Sequence, residues 1–282
     1  MQTVHVDLGS RSYDIEIGCG NLLKLDRVLD LFRDARHAVL ITDSNVEAHY
    51  ADPVADRLIE DDYEVDIMVV DAGEASKSID VANDLWEAML GEATDRKSIV
   101  VALGGGVVGD LAGFVAATYG RGLRFVQIPT TLLAQVDSSV GGKVGINLPR
   151  GKNMVGAFWQ PAGVVIDVAT RTTLPEREYS AGLAEVVKYG VILDDKFFGY
   201  LEDNVSAIME RDSSTLQAIV QRCCELKARV VEADEHETSG LRSVLNYGHT
   251  FCHALEAATS YEQLLHGEGV AIGMLCASRL AE

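Results

Sequence analysis

The stretch "SIVVALGGGVVGDLAGFVAA", residues 98–117, limits the possible folds more than any other part of the chain. A β-rich apolar run ends in three glycines, and a helix-like run follows. Gly104, Gly106 and Gly109 satisfy GxGxxG, with Gly105 and Val107 inside the turn and Asp110 just after it. In a strand–turn–helix setting, such glycines let backbone N–H groups approach a phosphate at the helix N-terminus. A tight turn without a ligand would give the same letters.

The surroundings repeat the strand–helix alternation. "HAVLITD" (37–43), "YEVDIMVVDAG" (63–73) and "RFVQIPTT" (124–131) read as strands, and "SIDVANDLWEAMLGEA" (78–93) reads as a helix. The N-terminus alternates polar and apolar residues like a strand. "GVVIDVATRTTLPERE" (163–178) reads as a last strand and a turn closed by Pro175. This order predicts an α/β Rossmann-like domain with a parallel sheet. Residues 178–202, 214–233, 245–259 and 267–281 show helical periodicity instead. The expected division is an α/β domain over 1–174 and an all-α domain over 175–282. The chain stops inside a helical pattern, at "CASRLAE", so the second domain reads as truncated.

A net charge of −19 argues against nucleic acid or an anionic membrane as partner. No apolar run reaches membrane-spanning length, and the opening residues lack the basic-then-apolar layout of a signal peptide. Five cysteines without a CxxC pair fit buried thiols in a reducing cytoplasm. The acidic surface fits either a salty cytoplasm or plain solubility. Of only eight lysines, Lys77, Lys143, Lys152, Lys188 and Lys227 fall in motif positions, where they could form a local anion site.

The usual acidic residue about 20 positions after the glycine turn is absent. Asp43, at the end of "HAVLITD", and Glu74, in "GEASK", are the alternative acids for an adenosine ribose. "PTTLLAQVDSSVGGKVGINLPRGKNMVGAFWQP" (129–161) carries Thr130, Thr131, Asp137, Lys143, Asn147, Lys152 and Asn153 among many glycines. Ammonium and amide groups there suit a polyhydroxylated or phosphorylated ligand; a solvated loop is the plainer explanation.

In "YSAGLAEVVKYGVIL" (179–193), Glu185 and Lys188 share a helix face. Such a pair is often exposed, but the apolar neighbours Ala184, Val186, Val187 and Val191 argue for burial, and a buried glutamate needs a cation. "NYGHTFCHALE" (246–256) places His249 and His253 four apart, and "LHGEGVAIGM" adds His266. Three of the seven histidines within 18 residues, with Glu185, suggest a metal site, zinc by preference for nitrogen and oxygen ligands. Spacing leaves open whether His253 or His266 completes it. Lys227, Arg242 and Asn246 would supply donors around it.

"GGGVVGD", "IPTTLLAQVDSSVGGKVGIN", "GKNMVGAFWQP", "AGLAEVVKYG", "LNYGHTFCHALE" and "LHGEGVAIGM", in this order, resemble the 3-dehydroquinate synthase family of sugar phosphate cyclases. The resemblance covers nearly the whole chain. It implies a lyase of the shikimate pathway, in aromatic amino acid biosynthesis, acting on 3-deoxy-D-arabino-heptulosonate 7-phosphate. NAD would take and return the C5 hydride around phosphate elimination, before ring opening and aldol closure. Zinc, or cobalt, would sit on Glu185, His249 and His266, with His253 beside it handling protons. Lys143, Lys152, Asn153 and Lys188 would face the substrate. Arg242 and Lys227 would lie near its carboxylate, with Asn246 close by. NAD would lie on Gly104–Asp110, with Asp43, Asn45, Glu74, Lys77, Thr130, Thr131, Asp137, Lys143 and Lys152 around it and Thr170, Thr172 and Thr173 closing the site. A homodimer is expected, with Arg121 reaching the neighbouring subunit's phosphate site. The family's members usually carry further C-terminal helices. Another sugar phosphate cyclase, a metal-dependent glycerol-type polyol dehydrogenase and a non-catalytic NAD-binding remnant are the alternatives.

Overall fold

A computed structural model describes residues 1–259 and 263–282. Its main sheet has seven strands: β1 (Gln2–Val6), β2 (Tyr13–Gly18), β3 (His37–Asp43), β4 (Glu64–Val70), β5 (Ile99–Gly104), β6 (Arg124–Pro129) and β9 (Gly163–Asp167), in the spatial order β1-β2-β9-β6-β5-β3-β4. All neighbours pair in parallel except β1 with β2. The alternating N-terminus is therefore not one strand but an antiparallel pair, turned by a 3-10 segment at Gly9–Arg11.

Every residue of β5 and β9 is buried, which is why their sequences are continuous apolar runs rather than alternating ones. β3, β5, β6 and β9 all end at one edge of the sheet, at Asp43, Gly104, Pro129 and Asp167. A crevice beyond the carboxyl ends of parallel strands is where α/β sheets bind ligands.

The longer helices are α1 (Asp52–Glu60), α2 (Ile79–Gly91), α3 (Gly106–Thr118), α4 (Glu176–Leu193), α5 (Asp195–Asp203), α6 (Ser213–Ala233), α7 (His249–Ala258) and α8 (His266–Ala281). The expected helix over 178–202 is two. Asp194 ends α4 with an extended backbone and accepts from the Phe197 N–H at 3.1 Å, capping α5.

The glycine-rich region expected as a ligand loop contains a hairpin, β7 (Lys143–Leu148) and β8 (Gly151–Phe158). It packs on α3, where Gly113 leaves room for Val144.

The helical part shares its core with the sheet. Ile219, Val220 and Cys223 of α6 pack in one cluster with Val4, Ile15 and Ile17. Each such aliphatic side chain contributes about 1.5–3 kcal/mol through burial, so sheet and helices hold the site walls together. All five cysteines are free, and burial pushes the Cys224 thiol up to about 12. Among the described residues, no helix is long and apolar enough to cross a membrane.

Candidate active site

Helix α4 exposes the charges of its first turn but buries the two in its middle, and it exposes part of its apolar surface. Glu185 and Lys188 are 0% and 1% exposed, whereas Val187 and Val191 are 36% and 47% exposed. The burial expected from the apolar neighbours is thus present, but two of those neighbours face outward. Lys188 contacts Glu185 Oε2, yet neither Glu185 oxygen finds a hydrogen bond of good geometry. Burial is the main influence on the Glu185 carboxyl and raises its pKa, against the opposing effect of Lys188.

Two imidazoles complete this corner. His249 Nε2 lies 3.8 Å and His266 Nε2 3.9 Å from Glu185 Oε1. His266 opens α8, and the residue after it, Gly267, meets the Ala181 backbone of α4 so closely that no β-carbon would fit. That contact sets α8 against α4 one helical turn from Glu185. Burial lowers the His249 pKa to about 4, leaving a neutral imidazole at pH 7. Burial opposes protonation of His266, but its bonds to Cys252 and Glu256 and the charge of Glu185 raise its pKa to about 10.

A buried carboxylate without a directional partner, flanked by two imidazole nitrogens, fits a divalent metal with nitrogen and oxygen preference. About 2.1 Å to each donor needs neighbouring donors about 3.4 Å apart; the two Glu185–histidine separations exceed that by a few tenths of an ångström, and all three donor atoms lie within 4.8 Å of one another. His253 stands outside this donor set, with its ring centroid 5.7 Å from that of His249.

The corner formed by Glu185, His249 and His266 opens on a cavity of about 610 Å³ lined by Lys143, Asn153, Lys188, Lys227, Arg242, Asn246 and His253, among others. Lys227 Nζ donates to Asp137 Oδ1 at 2.7 Å and to its carbonyl oxygen at 2.6 Å, and the Tyr189 hydroxyl donates to the same carboxylate oxygen at 2.8 Å. Burial works against ionisation of Asp137, but Lys227 and Lys188 outweigh it and hold its carboxyl well below the usual range. Arg242 is 2% exposed and donates to the Glu235 and Gly141 carbonyl oxygens. Its loop is pinned by Asp234, which accepts from the backbone N–H groups of Thr238, Ser239 and Arg242. Lys143 pairs with Glu237 at 2.7 Å.

A second cavity, of about 790 Å³, lies over the sheet edge. Gly105, Gly106 and Val107 bring the first turn of α3 to it, and Asp43, Asn45, Glu74, Lys77, Thr130, Thr131, Lys152 and Thr173 line it. Gly104 and Gly109 serve the turn from beneath; at Gly109 a β-carbon would crowd the Gln127 side chain of β6. Asp43 accepts from the Asn45 and Val46 N–H groups. Glu74 accepts from the Asn147 side chain, so Asn147 secures the hairpin. Lys77, only 4% exposed, donates to Asp110 at 2.7 Å and Asn153 at 2.6 Å. Asp110, Asp137, Asn153, His253 and His266 line both cavities, so the two chambers meet beside the candidate metal donors.

Three expected residues stand elsewhere. Thr170 is buried behind the wall, bonded to Gln135, Thr130 and Asp167. Thr172 is bonded to the Ala169 carbonyl and lines neither cavity. Arg121 sits on a separate turn, also outside both. Sequence reasoning gave no role to Glu178, Glu237 or Glu256, which stand in the walls. Only Glu256 carried a readable signal, two helical turns after His249.

Residues 67–181 match the family model described as 3-dehydroquinate synthase N-terminal, and residues 182–282 the one described as 3-dehydroquinate synthase C-terminal. The chain is 54% identical over 281 residues to the 3-dehydroquinate synthase of Desulforamulus reducens, covering 100% of this chain and 78% of that protein. It is 53% identical over 282 residues to that of Geobacter metallireducens, with the same coverage. A solved 2-deoxy-scyllo-inosose synthase complexed with carbaglucose-6-phosphate, NAD+ and Co2+ superposes with a TM-score of 0.90 at 29% identity, over 99% of this chain and 77% of that one. A 2-epi-5-epi-valiolone synthase from Streptomyces hygroscopicus, with NAD+ and Zn2+ bound, gives 0.84 at 29% identity, over 93% and 72%. Glycerol dehydrogenase from Schizosaccharomyces pombe, at 0.70 and 19% identity over 95% and 71%, shares the fold.

Proposed function

The chain belongs to the 3-dehydroquinate synthase family, and on that premise we propose that it converts 3-deoxy-D-arabino-heptulosonate 7-phosphate into 3-dehydroquinate and phosphate, using NAD and zinc or cobalt. The observation that carries this reading is the Glu185–His249–His266 donor set at the meeting of a glycine-turn cavity and a lysine-lined one. A glycerol-type dehydrogenase has no phosphate to hold, and the cations of the lysine-lined chamber would then lack a purpose.

When bound, the metal supplies Lewis acidity and NAD supplies reversible hydride acceptance. The chain's own residues then position and hold charge. Glu185, His249 and His266 grip the metal. The α3 N-terminus presents backbone N–H groups to the dinucleotide phosphates, with Asp43 or Glu74 on the ribose. Arg242 and Lys227 face the substrate carboxylate, and Asn246 holds a hydroxyl beside them. Lys143, Lys152, Asn153 and Lys188 hold the remaining oxygens. His253 borders both chambers, where it handles the proton exchanged between hydroxyl and solvent. We assign the chain to the cytoplasm as a homodimer. Arg121, which lines neither cavity of its own subunit, then serves the phosphate of the neighbouring one.

Phosphate release measured with catalytic NAD, with and without chelator, tests the assignment. Phosphate in excess over NAD, lost on chelation and restored by zinc or cobalt, is expected. Net NADH accumulation from a simple polyol, without phosphate release, would replace the synthase by a dehydrogenase.

A further inference from the structure

We propose that Glu256 is a positioning residue for the metal corner, turning His266 toward Glu185 and tying Lys152 to the same point. Glu256 is 3% exposed in α7. Its Oε1 lies 3.3 Å from His266 Nδ1 and 3.5 Å from Lys152 Nζ. The other nitrogen of that ring, Nε2, faces Glu185.

An imidazole that donates Nδ1–H to a carboxylate presents its Nε2 lone pair on the opposite side. Glu256 therefore selects the tautomer that can ligate, restrains the ring plane and makes the nitrogen a stronger donor. Helix α7 acts on the corner twice. His249 places a nitrogen beside Glu185, and Glu256, seven residues later on the same face, holds the far side of His266. Lys152 stands on β8, so this carboxylate also joins the hairpin to the metal corner.

Cys252 competes for His266 Nδ1 less well. Its Sγ is 3.8 Å away and a weak partner, and it also reaches the His266 carbonyl oxygen at 3.5 Å. Cys252, Glu256 and His266 could in principle gather a second ion. That would require Nδ1 to ligate instead of donating to Glu256, so the two arrangements exclude each other.

The inference rests on Glu185, His249 and His266 holding a metal. Zinc affinity of the full chain, by competition with a chromogenic chelator, tests both levels without an activity assay. Glu256→Gln, nearly isosteric, should bind zinc about tenfold more weakly and Glu256→Ala up to about a hundredfold more weakly, the range for lost outer-shell partners. The visible spectrum of the cobalt-loaded protein should shift in both, while metal-free unfolding of Glu256→Gln stays close to wild type. Equal zinc affinity and an unchanged cobalt spectrum in Glu256→Gln would overturn the positioning role and leave the metal site standing. Two ions per wild-type chain would overturn it in favour of a Cys252–Glu256–His266 site. Failure of the wild type to bind metal would remove the functional reading and the inference together.

Discussion

Lys227 Nζ lies 2.7 Å from Asp137 Oδ1, and the buried ammonium depends on that partly exposed carboxylate, which also accepts from the Tyr189 hydroxyl. Burial lowers the Lys227 pKa, while its charge helps to depress that of Asp137. The pair is thus costly to assemble and costlier to break in half. Asp137→Ala should destabilise the fold by about 3–5 kcal/mol, the range for an orphaned buried charge, measured by urea unfolding at pH 7. A carboxyl whose folded pKa lies below its unfolded value, about 3.9, contributes fully above that value and progressively less as pH falls below it. Wild-type stability should therefore decline more steeply between about pH 5 and pH 2 than that of Asp137→Asn.

Gly267 gives α8 its approach to α4. Gly267→Ala introduces a β-carbon where the Ala181 carbonyl stands. Overpacking of this kind costs about 1–3 kcal/mol, and the displaced helix carries His266 with it. Weaker zinc retention together with a lower melting temperature is expected. Zinc affinity equal to wild type would mean that the helix contact does not set the ligand geometry.

Removing a ligand and removing its neighbour should separate cleanly. Glu185→Ala should abolish metal retention after dialysis, by elemental analysis, because it deletes the anionic donor. His253→Ala should keep the metal and slow turnover by about 10²–10⁴, the span of general acid–base contributions. Equal metal content in wild type and Glu185→Ala would defeat the ligand assignment.

Lys77 joins the helix that opens on the glycine-turn cavity to the hairpin through Asp110 and Asn153, and with NAD in that cavity it would steady the binding wall. Charged hydrogen bonds of this kind are worth about 1.5–3 kcal/mol. Lys77→Met should therefore raise the Kd for NAD by about ten- to a hundredfold, measured by fluorescence titration of NADH. An unchanged Kd would assign Lys77 to the hairpin alone.

Legibility in the sequence followed burial. Strands β3, β5, β6 and β9 were readable because buried parallel strands are continuous apolar runs with polar or glycine ends. The β7–β8 hairpin was not, because its glycines and polar residues resemble a loop, and its partner surface on α3 is remote in sequence. The split between α4 and α5 turns on one cap, Asp194, that periodicity passes over. Glu185, His249 and His266 were each visible as residues able to ligate. Glu256 was visible only as a glutamate on the right helix face, since its partner His266 belongs to another helix.

By itself, the chain's sequence determined the kind of protein this is: a glycine turn after a buried strand, charged residues inside apolar helices, and histidines at helical spacing. Those are local properties, set by backbone sterics and by the cost of burying polar groups, and they survive in the order of letters. Helical spacing left His253 and His266 as rivals, the family resemblance implied His266, and the tertiary structure brings His266 against Glu185 and puts Thr170 behind the wall. It also decided that Lys77 and Lys227 are held by Asp110 and Asp137. Such choices depend on how closely two helices or a helix and a hairpin approach, and that distance is settled by packing between segments far apart in the chain.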